Sequence, residues 1–247
     1  MFELKLDNAK YWRDCVDAIV SLVDEGVFSI SREGVALKAM DPSGISMISF
    51  FIPSKAFSKY ELEKSAEIGL NIDNLSKIMS TTRDDEAIVL KDVDSKLSLE
   101  FMGVKNRRRY RLHLIDVRKK DDKEPKLEPD STVEVDGEHL KRALKDAALI
   151  SPYIAFKAAK SHFTISARGD SGDLEEMNEI DGTGIKKLDS SKDSSAVFNL
   201  QFLENMVKSS PMGNTIKLAI KSDQPLRLAY NIGDATVTYF LAPYVEE

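Results

Sequence analysis

The sequence predicts an α+β fold built twice: two domains of one design, each made of antiparallel β-sheets with two helices on one face. Three observations predict it. The first is a repeat. Shifting the chain by about 129 residues lays Asp7 on Asp136, Ile88-Val-Leu on Ile216-Lys-Leu, and Leu97 and Leu99 on Leu226 and Leu228. The second is the pattern inside each half, where many short strand-like runs surround two amphipathic helical stretches. The third is a divider, Asp116 to Pro129, crowded with charge, carrying two prolines and following neither apolar period. The expected domains are 1–115 and 131–247, with a connector over 116–130.

In the first half, Phe2, Leu4 and Leu6 alternate with polar residues and predict a strand over 2–6. Asp7 or Asn8 can cap a helix near 9–24, whose apolar side is Trp12, Cys15, Val16, Ile19 and Val23, and Gly26 is expected to end it. Val27–Ile30 and Val35–Met40 predict two strands around the turn Arg32-Glu33-Gly34. Asp41-Pro42-Ser43-Gly44 is a turn before a strand over 45–52, and a polar loop is expected from Pro53. A strand over 68–72, a short helix over 74–81 and strands over 87–90, 96–101 and 107–115 complete the half.

In the second half, a strand over 131–135 leads into a helix begun by Asp136 and Gly137. Leu140, Ala143, Leu144, Ala147 and Ala148 form its apolar face, and Pro152 closes it off. Strands follow over 153–158 and 162–167, then an acidic run from Asp170 to Asp181. Phe202, Leu203, Met206 and Val207 define the fourth helix, and strands near 215–221, 226–231 and 235–241 end the half.

Bulk properties bound the function. The chain has 247 residues, 42% of them hydrophobic, which is ordinary for a globular protein. No apolar stretch approaches the roughly 20 residues a membrane-crossing helix needs, and the N-terminus lacks the apolar region of a signal peptide. Cys15 is the only cysteine, so no internal disulfide or thiolate metal cage can form, and a reducing compartment is expected. His113, His139 and His162 lie far apart, and no metalloprotease, phosphate-loop, dinucleotide, calcium-loop or nucleophile-elbow pattern is present. No enzyme, cofactor or metal is therefore expected.

Charge distribution says more than the net charge of −6. Lys105 and Arg107 to Arg111 make a basic run on the last strand of the first half, and strand alternation puts Arg107, Arg109 and Arg111 on one face. Asp173, Glu175, Glu176 and Glu179 lie on the outer part of the second half. Solvated surface is the plain reading. A basic edge on one copy meeting an acidic edge on the next would give a head-to-tail contact that closes into a ring. Lys10, Arg13, Lys77, Lys141, Arg142, Lys145 and Lys208 lie on all four helices. Together they suit phosphates gripped without base readout, and with no interleaved aromatic platform, duplex suits them better than single strands. Met40, Gly44, Ile45, Leu127, Pro225, Phe240, Leu241, Ala242 and Pro243 fall at turns, in the connector and at the C-terminal run. They are either ordinary packing or a groove for a partner peptide with apolar anchors.

Ala39-Met40-Asp41-Pro42-Ser43 after a Gly-Val-x-Leu strand, the Leu241-Ala242-Pro243 run, the duplicated helices and the proline-bearing connector resemble sliding clamps of the proliferating cell nuclear antigen type, especially archaeal ones. The resemblance implies a DNA clamp fold in a ring of three subunits enclosing duplex DNA, with helices inward and sheets outward. It implies a non-catalytic processivity factor that tethers DNA polymerase, flap endonuclease and DNA ligase through short peptides docked under the connector, and an ATP-dependent loader. It carries the seven helical cations over as the DNA-facing set and the nine apolar-patch positions as the peptide groove. Two departures stand out: Tyr244 follows Leu-Ala-Pro where the family usually has a basic residue, and the connector is poor in apolar side chains. The implied location is the archaeal cytoplasm, or the nucleus in a eukaryote. A subunit of a mixed or damage-signalling ring, and a monomeric β-rich peptide scaffold that binds no DNA, are the alternatives.

Overall fold

The computed structural model describes residues 1–117, 123–180 and 182–245. Within them each half holds nine strands and two α-helices in the same order. The strands are β1 (Phe2–Leu6), β2 (Glu25–Ile30), β3 (Gly34–Met40), β4 (Ser46–Pro53), β5 (Lys59–Leu62), β6 (Ala66–Asn71), β7 (Ala87–Val93), β8 (Lys96–Met102) and β9 (Arg107–His113), then β10 (Ser131–Asp136), β11 (Tyr153–Ala158), β12 (His162–Gly169), β13 (Gly172–Glu179), β14 (Ile185–Ser190), β15 (Ser194–Asn199), β16 (Thr215–Ile220), β17 (Leu226–Ile232) and β18 (Ala235–Leu241). The helices are α1 (Ala9–Val20), α2 (Ile72–Met79), α3 (Gly137–Ala148) and α4 (Leu200–Lys208). By contacts the chain forms two compact units: Met1–Pro42, Ile48–Asp122 and Asn231–Val237 in one, and Ser43–Met47, Lys123–Tyr230 and Thr238–Glu247 in the other.

In the first unit, β5, β1, β7, β8 and β9 form one antiparallel sheet in that order, while β2 pairs with β3 and β6. Strand β1 buries Phe2, Leu4 and Leu6 and leaves Glu3 and Lys5 partly exposed, as alternation requires. The Asn8 side chain caps α1, accepting from the N–H groups of Lys10 at 3.0 Å and Tyr11 at 3.4 Å. Buried Ala9, Trp12, Cys15, Val16, Ala18 and Ile19 then give that helix one apolar stripe. Trp12 meets Phe28 and Phe50 with ring centroids 6.0 and 6.4 Å apart, and α1 packs beside α2.

Three expectations for this half need correction. Helix α1 ends at Val20, before Gly26, which lies inside β2. A Cβ on Gly26 would come 2.8 Å from Leu37 Cδ1, so a larger residue there would need the Leu37 side chain to shift, and Gly26 does not stop the helix. Ile72 opens α2 instead of closing a strand, with Asn71 as its cap. The supposed loop after Pro53 contains a short 3-10 turn and β5. Lys59 of β5 pairs with Glu3 and Glu61, and Lys91 with Glu3, so a charged ladder joins this edge strand to the sheet. Lys91 first and Lys59 second hold the Glu3 carboxyl below its ordinary range.

In the second unit, β13, β12, β11 and β15 form one antiparallel sheet, and β14, β10, β16 and β17 are joined in that order. Asp136 caps α3 through the N–H groups of Glu138 and His139, each at 3.1 Å. Leu140, Ala143, Leu144 and Ala147 are buried, but Ala148, expected with them, faces solvent. Helix α4 starts at Leu200 and packs beside α3. The acidic run, without an element in the sequence reading, forms β13 in full register with β12 from His162↔Glu179 to Gly169↔Gly172. A Cβ on Gly169 would lie 2.0 Å from the Ile150 carbonyl oxygen, so only glycine lets the loop after α3 cross there.

The expected connector over 116–130 is described in part, since 118–122 lie outside the described residues, as does Asp181 of the acidic run. Its approach is anchored: the Ile115 N–H donates to the Gly69 carbonyl at 2.9 Å, over a glycine with no room for a side chain.

Candidate functional site

The helical cations differ in what holds them. On α1, Lys10 is exposed, while Arg13 chelates Asp14 Oδ1 through Nε at 3.1 Å and Nη2 at 2.9 Å. On α2, Lys77 pairs with Asp73 at 2.6 Å. On α3, the Lys141 ammonium is engaged twice, by Glu138 at 3.0 Å and by the Ser210 carbonyl just past α4 at 2.8 Å. Lys141 therefore ties the two helices together, and only part of its charge faces outward. Arg142, Lys145 and Lys208 are exposed and form no ion pair with the described residues. The expected set thus divides into three unpaired cations in the second unit, one in the first, and three held by neighbours.

The two charged strands are both sheet edges. Strand β9 pairs only with β8, and β13 only with β12, among the described residues. Arg107, Arg109 and Arg111 are exposed on one face of β9, as alternation predicted. Arg109 also reaches Glu100 of β8 at 3.3 Å. Arg108 faces the other way and is bound to buried Glu86. On β13, Asp173, Glu175 and Glu179 share the outer face, but Glu176 points to the opposite one. There it lies 3.2 Å from His139 Nε2, which also meets Asn178 Oδ1 at 2.9 Å. Glu175 and Glu176 therefore lie on opposite faces of β13, as adjacent strand residues do.

The apolar-patch positions separate by burial. Met40 belongs to the first unit and is exposed. In the second unit, Gly44 and Ile45 are exposed, and Leu127, Pro225, Ala242 and Pro243 are half-buried. Phe240 and Leu241 are core residues, 4% and 1% exposed. The Ala242 N–H donates to the Ile45 carbonyl at 2.9 Å, which joins the C-terminal run to the turn before β4. Tyr244, which the sequence marked only as a departure, stacks on Tyr153 with ring centroids 3.9 Å apart. No sequence signal pointed to Tyr153.

No group of three or more metal-ligating side chains lies together among the described residues, and no helix among them is long and apolar enough to cross a membrane. Cys15 is fully buried, and burial pushes its thiol well above the ordinary range, so it is not poised as a nucleophile.

A duplicated antiparallel α+β chain, with paired helices in each unit and a charged edge strand in each half, has the architecture of a clamp subunit. Family models give the same result in order along the chain: the proliferating cell nuclear antigen N-terminal domain matches residues 1–122 and its C-terminal domain matches 123–245. The chain belongs to the proliferating cell nuclear antigen family. It is 34% identical to the DNA polymerase sliding clamp of Thermococcus gammatolerans, over all of this chain and 99% of that one. The crystal structure of the antigen from Thermococcus kodakaraensis superposes with a TM-score of 0.94 at 25% identity, covering 99% of this chain and all of that one. A solved structure of the C-terminal region of FEN-1 bound to the A. fulgidus antigen superposes with a TM-score of 0.90 at 25% identity, covering both chains completely.

Proposed function

We propose that this protein is a DNA sliding clamp: a non-catalytic processivity factor whose three copies close a ring around duplex DNA and tether DNA polymerase. The observation that carries the reading is the tandem family match across both halves, joined to full-length likeness to DNA polymerase sliding clamps. The ring forms head to tail. The exposed Arg107, Arg109 and Arg111 edge of one copy meets the Asp173, Glu175 and Glu179 edge of the next, so each contact joins unpaired backbone groups and opposite charges. Residues 1–115 and 131–247 act as the two domains and 116–130 as their connector.

Duplex passes the helices, where Lys10, Arg142, Lys145 and Lys208 meet phosphates, with Arg13, Lys77 and Lys141 contributing less because carboxylates or a carbonyl hold them. Phosphate contacts without base contacts permit sliding, because no position on the duplex is preferred. Partners dock a short peptide beside Ile45, Leu127, Pro225, Ala242 and Pro243. Flap endonuclease, DNA ligase and an ATP-dependent loader are the further partners, and the protein works in the cytoplasm of an archaeal cell.

Topological retention is the test. The protein is loaded on DNA with blocked ends, and one end is then freed. Encirclement predicts stable retention before and rapid release after; retention that persists on the freed end excludes a sliding ring.

A further inference from the structure

The run after Leu241 is fastened at two points. Upstream, the Ala242 N–H donates to the Ile45 carbonyl at 2.9 Å; downstream, the Tyr244 N–H donates to the Val197 carbonyl of β15 at 2.8 Å. Pro243 between them has a fixed φ and no N–H to lose. The Tyr244 ring stacks on Tyr153 of β11 at 3.9 Å and 27° between planes. Tyr153 is itself set in place, since its N–H donates to Ser151 Oγ at 3.1 Å and the strand pairs it with Asn199.

These rings do not fill a core. Beside them lies an open hollow of about 450 Å³, lined also by Ala155, Ser166, Arg168 and Val197. Ala155 and Ser166 are cross-strand partners with small side chains, so the sheet leaves space there. Tyr244 is 39% exposed. A stacked aromatic pair at an open surface contributes little to the core; what it fixes is the course of the chain.

We propose that Tyr153 and Tyr244 are positioning residues for the partner-peptide groove: their stack holds Ala242-Pro243 in the shape a docked peptide needs, so the peptide does not have to order it. The proposal rests on the reading of that groove given above.

The test is calorimetry with the full-length protein and a synthetic peptide of the FEN-1 C-terminal region. Tyr153→Ala and Tyr244→Ala should each weaken binding about three- to tenfold, the range an aromatic pair supplies. The double variant should be no weaker than the weaker single one, because one stack is lost in each case. Hydrogen exchange at the Tyr244 amide should speed up in Tyr153→Ala while the melting temperature stays put, a pairing that a general loss of stability would not give. Wild-type affinity in both alanine variants, or additive losses, would overturn the proposal. Ile45→Ala separates the two readings: if it too binds as wild type, the groove itself is misassigned, whereas its failure beside intact tyrosine variants removes only the fastening.

Discussion

Arg108 and Glu86 form a part-buried ion pair: Nη2 donates to Oε2 at 2.5 Å, Nε donates to Oε1 at 3.3 Å, and the Glu86 side chain is 1% exposed against 21% for Arg108. Glu86 also accepts from the Arg83 N–H, while Arg108 donates to the Thr81 hydroxyl and carbonyl and lies 4.7 Å from the Phe101 ring centroid. One arginine of β9 thus holds the loop after α2, while its neighbours face outward. Arg108→Ala should cost about 3–5 kcal/mol, because Glu86 is left buried and uncompensated. Chemical denaturation measures this, and a loss below about 1 kcal/mol would mean the pair is worth no more than a surface one.

The outward arginines should act on assembly instead. Arg111→Glu is expected to shift sedimentation toward the single-chain mass, since it sets like charges across the edge. Arg109→Glu should do the same, but it also puts a carboxylate beside Glu100, so some folded stability goes with it. Unchanged sedimentation for Arg111→Glu, with an unchanged melting temperature, would take the basic edge out of the interface.

How much of this was legible in the sequence follows from which faces are buried. Helices α1 to α4 bury a continuous stripe, so their spacing announced them. Strands β5 and β13 were not announced: Lys-Tyr-Glu-Leu and the acidic run bury no residue fully, and only pairing defines them. The basic edge was found because alternation alone separates Arg107, Arg109 and Arg111 from Arg108. Leu241 misled because an apolar residue near a strand end reads the same whether it lines a groove or fills the core. The Glu86–Arg108 pair and the Tyr153–Tyr244 stack join residues far apart in sequence, and no local pattern carries such contacts.

The burial of Leu241 changes how the groove is tested. Leu241→Ala should cost about 2–5 kcal/mol of stability through the cavity it leaves, whatever it does to docking. Ile45→Ala removes an exposed side chain and should leave the melting temperature within a degree or two while weakening peptide binding. Thermal melts of the two variants check this, and equal melting points would contradict the burial difference.

Asp136 predicts a pH effect. Burial pushes its carboxyl up, but the His139 N–H, the Lys186 ammonium at 3.5 Å and the Glu138 N–H outweigh burial and hold it below the ordinary range. A carboxyl depressed in the folded state adds stability that is present above its unfolded pKa, about 3.9, and is lost as pH falls through the folded value. Asp136→Asn keeps the cap but not the charge. The stability difference between wild type and this variant should be constant above about pH 5 and shrink below about pH 4. Urea titrations across that window measure it, and a pH-independent difference would contradict the assignment.

The division among the helical cations gives the sharpest prediction about DNA. Each phosphate contact releases counterions, so log affinity falls with log salt by about 0.9 for every contact made. Arg142, Lys145 and Lys208 are exposed and unpaired among the described residues, so neutralising them to glutamine should weaken DNA binding and flatten that slope. Arg13 and Lys77 already spend their charge on Asp14 and Asp73, so the same change there should flatten it less for each residue neutralised. If binding at several salt concentrations gave equal flattening per residue for both sets, the intrachain pairs would be too weak to matter. Exposed pairs such as Lys77–Asp73 are worth only about 0.3–0.5 kcal/mol, so this outcome turns on Arg13, whose two donors to Asp14 Oδ1 are the better shielded.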